Sequence, residues 1–538
     1  MAEAAHDQKT SQQLVLLGDE AVALGAVHAG LTAAYAYPGT PSTEIVDYLL
    51  QYKKRHGAPH AAWAANEKTA FEAALGVSIV GRRSLVCMKH VGLNVAADPF
   101  MNAAVVAING GLVVAVADDP GMHSSQNEQD TRYFADFAHT LCLEPATQQE
   151  VYAMTREAFD LSERFGLPVV LRLVTRLAHS RAVVEVGTQR PENPLHKPSD
   201  PASWILLPQN ARRQWNQRML QRPEIMDWVE STPLNALDLD GRSRRWGVIT
   251  TGIARNYVLE NWSEIDDKPA HLHISAYPIP VQKVRALARQ VERLVVIEEG
   301  YPYVERYLRG LLPAPLPIAG KLSGELPLSG ELNSDVVRRA LGLSEHSAGA
   351  STPLHLPTRP PQLCQGCSHI DAFTAIARAR ASFDDSIVTA DIGCYTLGAL
   401  PPYNAIESCV CMGASVGMAK GAAEAGLRPA LGVIGDSTFC HSGVTPLMDA
   451  VADKTPMTLV IDDNETTAMT GGQPTIVPSS RLEQLVLGTG IAPEHCHVVE
   501  AHRKNLDRMV EVLKQEMAHD GPSVIIFRRE CLETAKKH

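Results

Sequence analysis

Two polar groups in the last third of the chain each follow directly on an apolar segment. The first segment ends in Gly435, Asp436 and Ser437, and the second ends in Asp463 and Asn464, with 26 residues between Ser437 and Asn464. A carboxylate, an amide oxygen and a backbone carbonyl are the hard oxygen ligands that Mg²⁺ prefers, with phosphate oxygens completing its coordination. Glycine lets the backbone approach a phosphate closely. The pattern therefore predicts a magnesium–diphosphate site, whereas a Gly-Asp dipeptide alone would indicate only a turn.

The cysteines are concentrated after residue 360, where eight of the ten lie. Two residues separate Cys364 from Cys367, and 26 residues separate Cys367 from Cys394. Together with Cys531, these thiols form a set of four that suits a [4Fe–4S] cluster or zinc, and inert buried thiols are the alternative. In a reducing compartment, such a concentration favours metal or redox chemistry over disulfides. The other four cysteines of this region are predicted to be packing residues: Cys409, Cys411, Cys440 and Cys496.

A third candidate for chemistry is Glu67, far from these motifs in the sequence. It follows a short apolar segment and opens a helix of small residues, EKTAFEAALG. A buried carboxylate in a preorganised site can perform acid/base work. The ordinary alternative is a surface glutamate that stabilises the first turn of a helix. The residues alone leave both interpretations open.

These side chains need elements to position them, and short apolar runs alternate with helical stretches in the first 190 residues. The runs predict strands at 33–37, 84–88, 112–117 and 168–173. Pro38 and Gly39 end the first strand, and Thr40 is expected to cap a helix whose first position is Pro41. Such alternation indicates a parallel sheet covered on both faces. Ligands of these sheets bind at the carboxyl ends of the strands, where we expect the polar groups to lie.

The domain organisation follows from changes in composition. Residues 12–188 and 363–538 are predicted to be two large α/β domains, and 245–312 a smaller α/β unit with strands at 246–251 and 294–298. Proline-rich linkers are predicted at 189–244, with one helix, and at 313–362. The basic residues of the first linker are interpreted as a solvated helix face, with a phosphate-binding patch as the alternative: Arg212, Arg213, Arg218 and Arg222.

Composition excludes several classes of function. The net charge is −11, from 49 basic and 60 acidic side chains, which argues against nucleic acid or an anionic membrane as partner. The N-terminus is polar, and no apolar run approaches the roughly 20 residues that span a bilayer. We therefore expect a cytoplasmic protein, and 538 residues are too many for one core.

Longer motifs carry a family resemblance that covers nearly the whole chain. The N-terminal strings are YPGTPS, NEKTAFEAALG, MKHVGLNVAADP and ADDPGMHSSQNEQDTR; VIEEGYPYVE lies in the middle; and LCQGCSH, DIGCYTLG, CMGASVGMA, GDSTFCHSG and AMTGGQPT follow. They resemble the alpha subunit of indolepyruvate ferredoxin oxidoreductase, a thiamine-diphosphate-dependent 2-oxoacid oxidoreductase. The resemblance implies a multidomain α/β protein with two doubly wound parallel-sheet domains, pyrimidine-binding at 12–188 and diphosphate-binding at 363–538. A small transketolase C-terminal-like α/β domain at 245–312 would lie between them in the chain.

The resemblance also implies roles for individual residues. Glu67 would hydrogen-bond the aminopyrimidine ring and activate the cofactor. Asp436 and Asn464 would bind Mg²⁺ by their side chains and Thr466 by its carbonyl. Further cofactor contacts would come from Gly393, Met412, Gly413, Gly435 and Ser437, although Met412 is as well explained as a packed core residue. The 2-oxoacid would meet Thr40, and substrate, diphosphate or coenzyme A would meet Lys89, His90 and His123, where His123 is equally well a structural histidine. One [4Fe–4S] cluster would use the four cysteines named above.

The implied reaction is oxidative decarboxylation of aryl-2-oxoacids such as indolepyruvate and phenylpyruvate, with coenzyme A, to an aryl-acetyl-CoA and CO₂. It releases two electrons and needs an acceptor. Family members continue into a ferredoxin-like module with a C-x2-C-x2-C-x3-C run, which this sequence lacks. The resemblance implies a hetero-oligomer with a smaller beta subunit, and the missing run leads us to expect electron transfer to a partner subunit, another carrier or an external acceptor. The alternatives are a non-oxidative thiamine-diphosphate-dependent decarboxylase or lyase, and a non-catalytic scaffold.

Overall fold

The structure is a computed structural model that describes residues 12–240, 242–312, 316–344 and 362–536. The chain forms two compact units, residues 1–351 and 352–538, here called the N-terminal unit and the C-terminal unit. Among the described residues, no helix combines the length and the apolar character needed to cross a membrane.

The N-terminal unit contains three sheets and the helices that cover them. Its strands are β1 (Gln12–Leu17), β2 (Ala33–Ala36), β3 (His60–Trp63), β4 (Ser84–Lys89), β5 (Leu112–Asp118), β6 (Leu141–Leu143), β7 (Val169–Val174), β8 (Arg181–Val186), β9 (Ala236–Asp238), β10 (Ser243–Thr251), β11 (Pro269–Ile274), β12 (Ala276–Tyr277), β13 (Leu294–Ile297) and β14 (Ile318–Ala319). Its α-helices are α1 (Gly18–His28), α2 (Thr43–His56), α3 (Glu67–Ile79), α4 (His90–Val95), α5 (Ala97–Ala103), α6 (Thr131–Phe137), α7 (Gln148–Phe165), α8 (Thr175–His179), α9 (Pro208–Ser231), α10 (Ala254–Glu260), α11 (Val281–Gln290), α12 (Tyr303–Leu311) and α13 (Ser334–Ala340).

The largest sheet has seven strands in the order β12-β6-β7-β5-β4-β2-β3. All neighbours pair in parallel except β12, which runs antiparallel to β6 at one edge. Strands β4, β5 and β7 are buried along their whole length, because helices cover both faces of the sheet. The four strands expected in this region are confirmed, as is the α/β class. The residues that follow β2, β3, β4, β5 and β7 therefore share one carboxyl edge.

The connection between β2 and α2 differs from the expected helix cap. The helix begins at Thr43, so the prediction that Thr40 caps a helix starting at Pro41 is wrong. The backbone N–H of Gly39 donates to Thr43 Oγ1 at 3.0 Å, and Ser42 Oγ donates to the Gly39 carbonyl at 2.8 Å. These two bonds close residues 39–42 as a turn before the helix starts. Thr40 consequently lies in the turn.

A second sheet of the N-terminal unit has five strands in the order β14-β13-β10-β11-β9, parallel except for β9. Strands β1 and β8 form a separate antiparallel pair. Buried ion pairs connect elements within the seven-stranded sheet and link its helix α6 to the end of β13. Arg172, on β7, donates to Asp118 at 2.6 Å and to Glu144 at 2.5 Å, and Arg132 donates to Glu298 at 2.9 Å. Removing one partner of such a pair typically costs about 3–5 kcal/mol.

Helix α9 lies inside the segment predicted as the first linker. Arg212 and Arg213 are exposed, as a solvated helix face requires. Arg218 is buried, so that prediction is wrong for this residue. Its guanidinium donates to the carbonyls of Ala104, Phe165 and Gly166, which uses the arginine to satisfy backbone groups of the neighbouring elements.

The C-terminal unit is built around one six-stranded sheet. Its strands are β15 (Ile387–Ala390), β16 (Ser408–Cys409), β17 (Ala430–Gly435), β18 (Thr458–Asp463), β19 (Thr466–Thr467), β20 (Gln473–Pro474), β21 (Cys496–Glu500) and β22 (Ser523–Arg528). Its α-helices are α14 (Ser368–Arg380), α15 (Ala414–Glu424), α16 (Asp436–Thr438), α17 (Val444–Ala452), α18 (Ser479–Gly488), α19 (Leu506–Met517) and α20 (Leu532–Ala535). Short 3₁₀ turns in the chain are Pro201–Trp204, Trp262–Glu264, Cys394–Ala399, Ala468–Thr470, Pro493–His495 and Arg503–Asn505, and a π-helical turn is Phe439–Gly443.

The order of the six strands is β16-β15-β17-β18-β22-β21, and every neighbouring pair is parallel. Strands β19 and β20 form a small antiparallel pair beside it. The central strands β15, β17 and β18 lie side by side, so the polar residues that follow them meet at one carboxyl edge. This arrangement positions the predicted magnesium ligands.

Candidate active site

Asp436 lies at the carboxyl edge of the C-terminal sheet, directly after β17. Its side chain is 4% exposed. Oδ1 accepts a hydrogen bond from the backbone N–H of Ser437 at 2.7 Å, and Oδ2 accepts one from the N–H of Glu465 at 2.8 Å. Burial, and then the neighbouring Asp463, raise the pKa of the Asp436 carboxyl. A bound cation would stabilise this carboxylate in its charged form.

The loop after β18 brings the other predicted ligands to the same place. Glu465 has a left-handed backbone, with φ of 66°, although it is not a glycine. This turn lets the N–H of Glu465 reach Asp436, while Asn464 Oδ1 accepts from the N–H of Thr466 at 3.2 Å. Left-handed backbone at a non-glycine residue is uncommon and costs free energy. The run Asn-Glu-Thr-Thr contains no glycine that would have marked it in the sequence.

The donor set at this edge fits a hard divalent cation. Asp436 contributes a carboxylate, Asn464 an amide oxygen, and the backbone of Thr466 a carbonyl in the same loop. All three are oxygen donors, which Mg²⁺ prefers over nitrogen or sulfur. The residues predicted from the sequence are therefore chemically suited to hold Mg²⁺ together with a diphosphate.

A second buried acid, Asp391, was not singled out from the sequence. It follows β15 and accepts hydrogen bonds from the N–H of Gly413 at 3.1 Å and from Ser415 Oγ at 2.5 Å. The hydroxyl of Tyr395 also donates to it. Burial raises the pKa of Asp391 to about 6. Because it follows an apolar strand in the same way as Asp436, that position was the signal available in the sequence.

The glycines predicted to contact the cofactor have a packing role that the structure makes clear. A Cβ atom on Gly393 would lie 2.2 Å from the ring of Tyr395, and one on Gly435 would lie 2.9 Å from it. Gly413 has φ of 86°, and a Cβ there would lie 2.6 Å from the side chain of Ser442. Met412 beside it is half-buried. Contact of these residues with a cofactor stays a prediction.

The CxxC turn and the C-terminal cysteine are connected by hydrogen bonds. The N–H of Cys367 donates to the carbonyl of Cys364 at 3.0 Å, which closes the turn. Arg529 then donates to the carbonyl of Gly366, inside that turn, at 2.6 Å. Cys531 lies two residues after this arginine. Three of the four predicted cluster cysteines are thus brought together by local contacts.

The fourth cysteine, Cys394, opens the 3₁₀ turn after β15. Burial, and then the nearby thiols of Cys367, Cys531 and Cys364, raise the pKa of its thiol to about 12. The N–H of Cys531 donates to the carbonyl of Asn464 at 3.1 Å. The four thiols therefore gather next to the loop that carries the predicted magnesium ligands.

The remaining cysteines of the C-terminal unit divide into two groups. Cys409 and Cys411 are exposed, so the prediction that they are packing residues is wrong. Cys409 ends the edge strand β16, which leaves its side chain on the surface. Cys440 is half-buried, and Cys496 is buried as a packing residue would be.

In the N-terminal unit, Lys89 is the last residue of β4 at the carboxyl edge of the seven-stranded sheet. Its Nζ donates to the carbonyl of Ser124 at 3.0 Å, and Ser124 Oγ donates to the carbonyl of Thr40 at 3.1 Å. Burial lowers the pKa of Lys89 to about 8, against the opposing effects of Asp119 and Glu67. Thr40 and Lys89, predicted as substrate contacts, are therefore neighbours.

The loop after β5 supports this pair through Asp119, which the sequence did not point out. Its Oδ2 accepts from the N–H of Ser124 at 2.8 Å and from Ser125 Oγ at 2.7 Å, and its Oδ1 accepts from Thr175 Oγ1 at 2.7 Å. Burial alone would raise the pKa of Asp119, but these hydrogen bonds and Lys89 lower it. The ionised carboxylate therefore holds the loop against the start of α8 and near Lys89.

The two predicted histidines have different surroundings. His90 is buried at the start of α4, and its Nε2 donates to the carbonyl of Asn127 at 3.1 Å. Its Nδ1 has no hydrogen-bond partner within the part of the chain that the structure describes. His123 is exposed, with Nε2 3.6 Å from Oε2 of Glu331. His90 thus lies among the buried residues at the carboxyl edge of the sheet, whereas His123 is exposed to solvent.

Glu67 begins α3, after β3, and is 5% exposed. The interpretation of Glu67 as a surface residue is therefore wrong. Asn66 caps the helix, because its Oδ1 accepts from the N–H of Thr69 at 2.8 Å. A Cβ atom on Gly92 would lie 2.5 Å from Oε1 of Glu67, so glycine at 92 makes the room for the carboxylate. Because Gly92 has no side chain, the carboxylate of Glu67 fits beside it, a proximity that the sequence does not indicate.

Comparisons with known proteins agree with this geometry. Residues 24–228 match the family described as "Pyruvate flavodoxin/ferredoxin oxidoreductase, thiamine diP-bdg", and 391–527 match "Thiamine pyrophosphate enzyme, C-terminal TPP binding domain". Indolepyruvate oxidoreductase subunit IorA of Archaeoglobus fulgidus is 38% identical over 97% of this chain and 86% of its own length. The subunit of the same name from Methanothermobacter thermautotrophicus is 37% identical over 97% of this chain and 88% of its own.

A solved structure supports the fold. The 2-oxoglutarate:ferredoxin oxidoreductase of Magnetococcus marinus superposes with a TM-score of 0.51 at 17% identity, covering 62% of this chain and 66% of that one. The fold, the two matched thiamine-diphosphate domains and the relatives together define a thiamine-diphosphate-dependent 2-oxoacid oxidoreductase. Within that class, the chain belongs to the family of indolepyruvate oxidoreductase IorA subunits.

Proposed function

We propose that this chain is the catalytic subunit that oxidatively decarboxylates aryl-2-oxoacids, such as indolepyruvate and phenylpyruvate, with coenzyme A. The products are an aryl-acetyl-CoA and CO₂. The observation that carries the oxidative part is the hydrogen bond from Cys531 N–H to the carbonyl of Asn464, 3.1 Å long. It joins a predicted ligand of an electron acceptor to a predicted ligand of the cofactor's metal. The aryl preference rests on the names of the relatives.

Asp436, Asn464 and the Thr466 carbonyl are proposed to hold Mg²⁺ and, through it, the diphosphate. When bound, thiamine diphosphate supplies the nucleophilic carbon and accepts the electron pair that decarboxylation leaves behind. Glu67 is proposed to hydrogen-bond the aminopyrimidine ring and to hold a proton at its carboxylate. Its burial supports this role, because a carboxylate excluded from water is preorganised for acid/base work.

Thr40, Lys89 and His90 are proposed to bind the 2-oxoacid. Below about pH 8, the buried ammonium group of Lys89 carries a positive charge that favours an anionic substrate. The hydroxyl of Thr40 would donate to a carboxylate or keto oxygen of the substrate. His90 can present its Nδ1 to a ligand, since that atom has no partner among the described residues.

The four cysteines are proposed to hold one [4Fe–4S] cluster that takes up the two electrons of the reaction, one at a time. Tetrahedral zinc with bonds of about 2.3 Å would place its sulfur ligands about 3.8 Å apart. Within the described residues, no three of these thiols lie within 4.8 Å of one another. Zinc is also redox-inactive and could not accept the electrons of the reaction, which is why we propose an iron–sulfur cluster. From the cluster, electrons are proposed to pass to a smaller beta subunit or an external acceptor.

The test uses the native complex, purified anaerobically with its partner subunit and assayed on a panel of 2-oxoacids. We expect about four irons and four acid-labile sulfides per chain of this subunit, and CO₂ release that depends on coenzyme A and an electron acceptor. Aryl-2-oxoacids should give the largest kcat/KM. CO₂ release without any acceptor, from a protein that takes up no iron on reconstitution, would instead establish a non-oxidative decarboxylase or lyase.

A pair of variants assigns the cluster to its ligands. Cys394→Ser should lose iron and acceptor reduction but retain Mg²⁺-dependent cofactor binding. Cys496→Ser is the matched control, because Cys496 is a buried thiol outside the set of four. Equal iron content in the two variants would remove Cys394 from the cluster.

A further inference from the structure

Three helices of the N-terminal unit bring Asp19, Glu44 and His179 together. Asp19 lies in the first turn of α1, Glu44 in the first turn of α2, and His179 at the end of α8. One ligand atom from each of the three side chains can be chosen so that all lie within 4.8 Å of one another. None of these residues belongs to the predicted cofactor, substrate or cluster sites.

Three of the four carboxylate oxygens of Asp19 and Glu44 have no hydrogen-bond partner among the residues that the structure describes. Asp19 is 0% exposed, and neither of its oxygens has a hydrogen-bond partner among the residues that the structure describes. The same holds for Oε2 of Glu44, which is shielded from solvent. A buried carboxylate without a donor or a counter-ion is costly. The three side chains therefore surround a position where a positive charge would stabilise the buried carboxylates.

The spacing of the ligand atoms matches a small coordinated cation. Nε2 of His179 lies 3.4 Å from Oε2 of Glu44. Tetrahedral coordination with bonds of about 2.0–2.2 Å places ligand atoms about 3.3–3.6 Å apart. One imidazole and two carboxylates suit borderline first-row ions such as Zn²⁺, whereas Mg²⁺ and Ca²⁺ prefer oxygen throughout.

The backbone around the group is closely packed, so the ligands are held in place. A Cβ atom on Gly18, next to Asp19, would lie 2.2 Å from the carbonyl of Leu177 on α8. At the other end of α8, Thr175 donates to Asp119, which anchors the loop near Lys89. A cation here would connect α1, α2 and α8 at the start of the helix that follows the Thr40 turn.

We propose that Asp19, Glu44 and His179 form a structural binding site for a Zn²⁺-class divalent cation, with water as a fourth ligand. This proposal does not depend on the proposed reaction, because none of the three residues has a role in it.

The site can be tested with Co²⁺, which substitutes for Zn²⁺ and reports its ligands by its spectrum. The full-length chain is treated with a chelator under anaerobic conditions and titrated with Co²⁺. Binding to nitrogen and oxygen gives weak visible bands, whereas binding to cysteine thiolates gives intense near-ultraviolet charge-transfer bands. We expect wild-type protein to bind one more equivalent of Co²⁺ than Asp19→Asn, with the difference confined to the weak visible bands.

The controls separate loss of a ligand from loss of the fold. Asp19→Asn keeps the side-chain volume, and its amide can donate to Glu44, so the variant should fold. His179→Gln removes a more exposed ligand and should lose the same equivalent. Glu72→Gln removes an exposed carboxylate on α3 and should bind Co²⁺ like wild type. Co²⁺ should raise the Tm of wild type and of Glu72→Gln, but not that of the two ligand variants.

The proposal would be overturned if wild type, Asp19→Asn and His179→Gln bound equal amounts of Co²⁺ with equal spectra. That result would mean that a proton shared between Asp19 and Glu44 supplies the missing positive charge. A difference between wild type and Asp19→Asn that appeared in the thiolate bands would likewise contradict the assignment.

Discussion

The carboxyl edges of the two large sheets differ in the buried ionisable groups whose pKa values are shifted. In the C-terminal unit, the edge carries buried acids, and burial raises the pKa of Asp436 and Asp391. In the N-terminal unit, the edge carries Lys89, and burial lowers its pKa to about 8. Burial therefore favours the neutral forms of these three groups, two acids at one edge and a lysine at the other.

This difference indicates which ligand charge would suit each edge. A divalent cation would restore the charge of the acids in the C-terminal unit, and an anion would favour the charged form of Lys89 in the N-terminal unit. We propose that the same parallel-strand architecture provides a site for Mg²⁺ in one unit and for a 2-oxoacid in the other. Variants that change one edge at a time test this contrast.

The largest effect is expected from Asp436→Asn. Because the variant loses the buried carboxylate that the cation would stabilise, we expect loss of bound Mg²⁺ and cofactor and a fall in turnover of more than about 100-fold. Turnover of the complex and cofactor content measure this. Asp507→Asn removes an exposed acid of the same unit and should leave both unchanged. Retained cofactor and turnover in Asp436→Asn would show that the acidic edge does not bind the metal.

On the opposite edge, Lys89→Met should reduce kcat/KM for the 2-oxoacid by about 10- to 100-fold, because a hydrogen bond to a charged group contributes about 1.5–3 kcal/mol. Cofactor content should not change. Lys68→Met, at an exposed lysine of α3, is the control. Equal kcat/KM in the two variants would remove Lys89 from the substrate site.

The pH dependence of the wild-type enzyme sharpens the same assignment. Lys89 is protonated below a pKa of about 8 and loses its charge above it. We therefore expect kcat/KM for the anionic substrate to fall as pH rises through about 8, with this limb absent in Lys89→Met. A limb of equal position in both proteins would belong to another group.

A smaller effect is expected at Glu465, whose left-handed backbone shapes the acidic edge. A β-branched residue is strained in this conformation, so Glu465→Val should lower the free energy of unfolding by about 1–3 kcal/mol and weaken Mg²⁺ binding. Glu465→Gly removes the side chain without that strain and serves as its control. Denaturant unfolding and Mg²⁺ titration check both. Equal effects in the two variants would mean that the side chain matters and the backbone does not.

The smallest effect concerns the pH dependence of Mg²⁺ binding. A protonated Asp436 cannot ligate the metal, and burial raises its pKa above the ordinary range. Mg²⁺ affinity should therefore rise with pH by up to about tenfold per unit until Asp436 is ionised. Cofactor titrations at a series of pH values would reveal this, and an affinity that falls with pH would contradict it.

Much of the fold could be predicted from the sequence because its central strands are fully buried. Continuous apolar runs such as those of β4 and β5 are typical of parallel sheets with both faces covered, and they were found within one or two residues. The predicted start of α2 at Pro41 was wrong because the hydrogen bond from Gly39 N–H to Thr43 Oγ1 closes a turn before the helix begins. The prediction that Arg218 lies on a solvated helix face was wrong because its partners are backbone carbonyls of distant elements.

Some residues of the candidate site could likewise be predicted from the sequence, and others depend on the tertiary structure. Asp436 and Asn464 could be identified because a local motif places both at strand ends. The left-handed Glu465 has no sequence signature, and the room that Gly92 leaves for Glu67 depends on how α4 packs against α3. Asp19, Glu44 and His179 come from three helices, so only tertiary structure brings them together.

The most direct test of the account is the turnover of Glu67→Gln in the intact complex, compared with Glu72→Gln on the same helix. If Glu67 performs the proposed acid/base step, its variant should retain thiamine diphosphate and Mg²⁺ but lose about 10²- to 10⁴-fold in kcat, while Glu72→Gln behaves like wild type. Full turnover in Glu67→Gln, with its cofactor bound, would contradict the proposed mechanism.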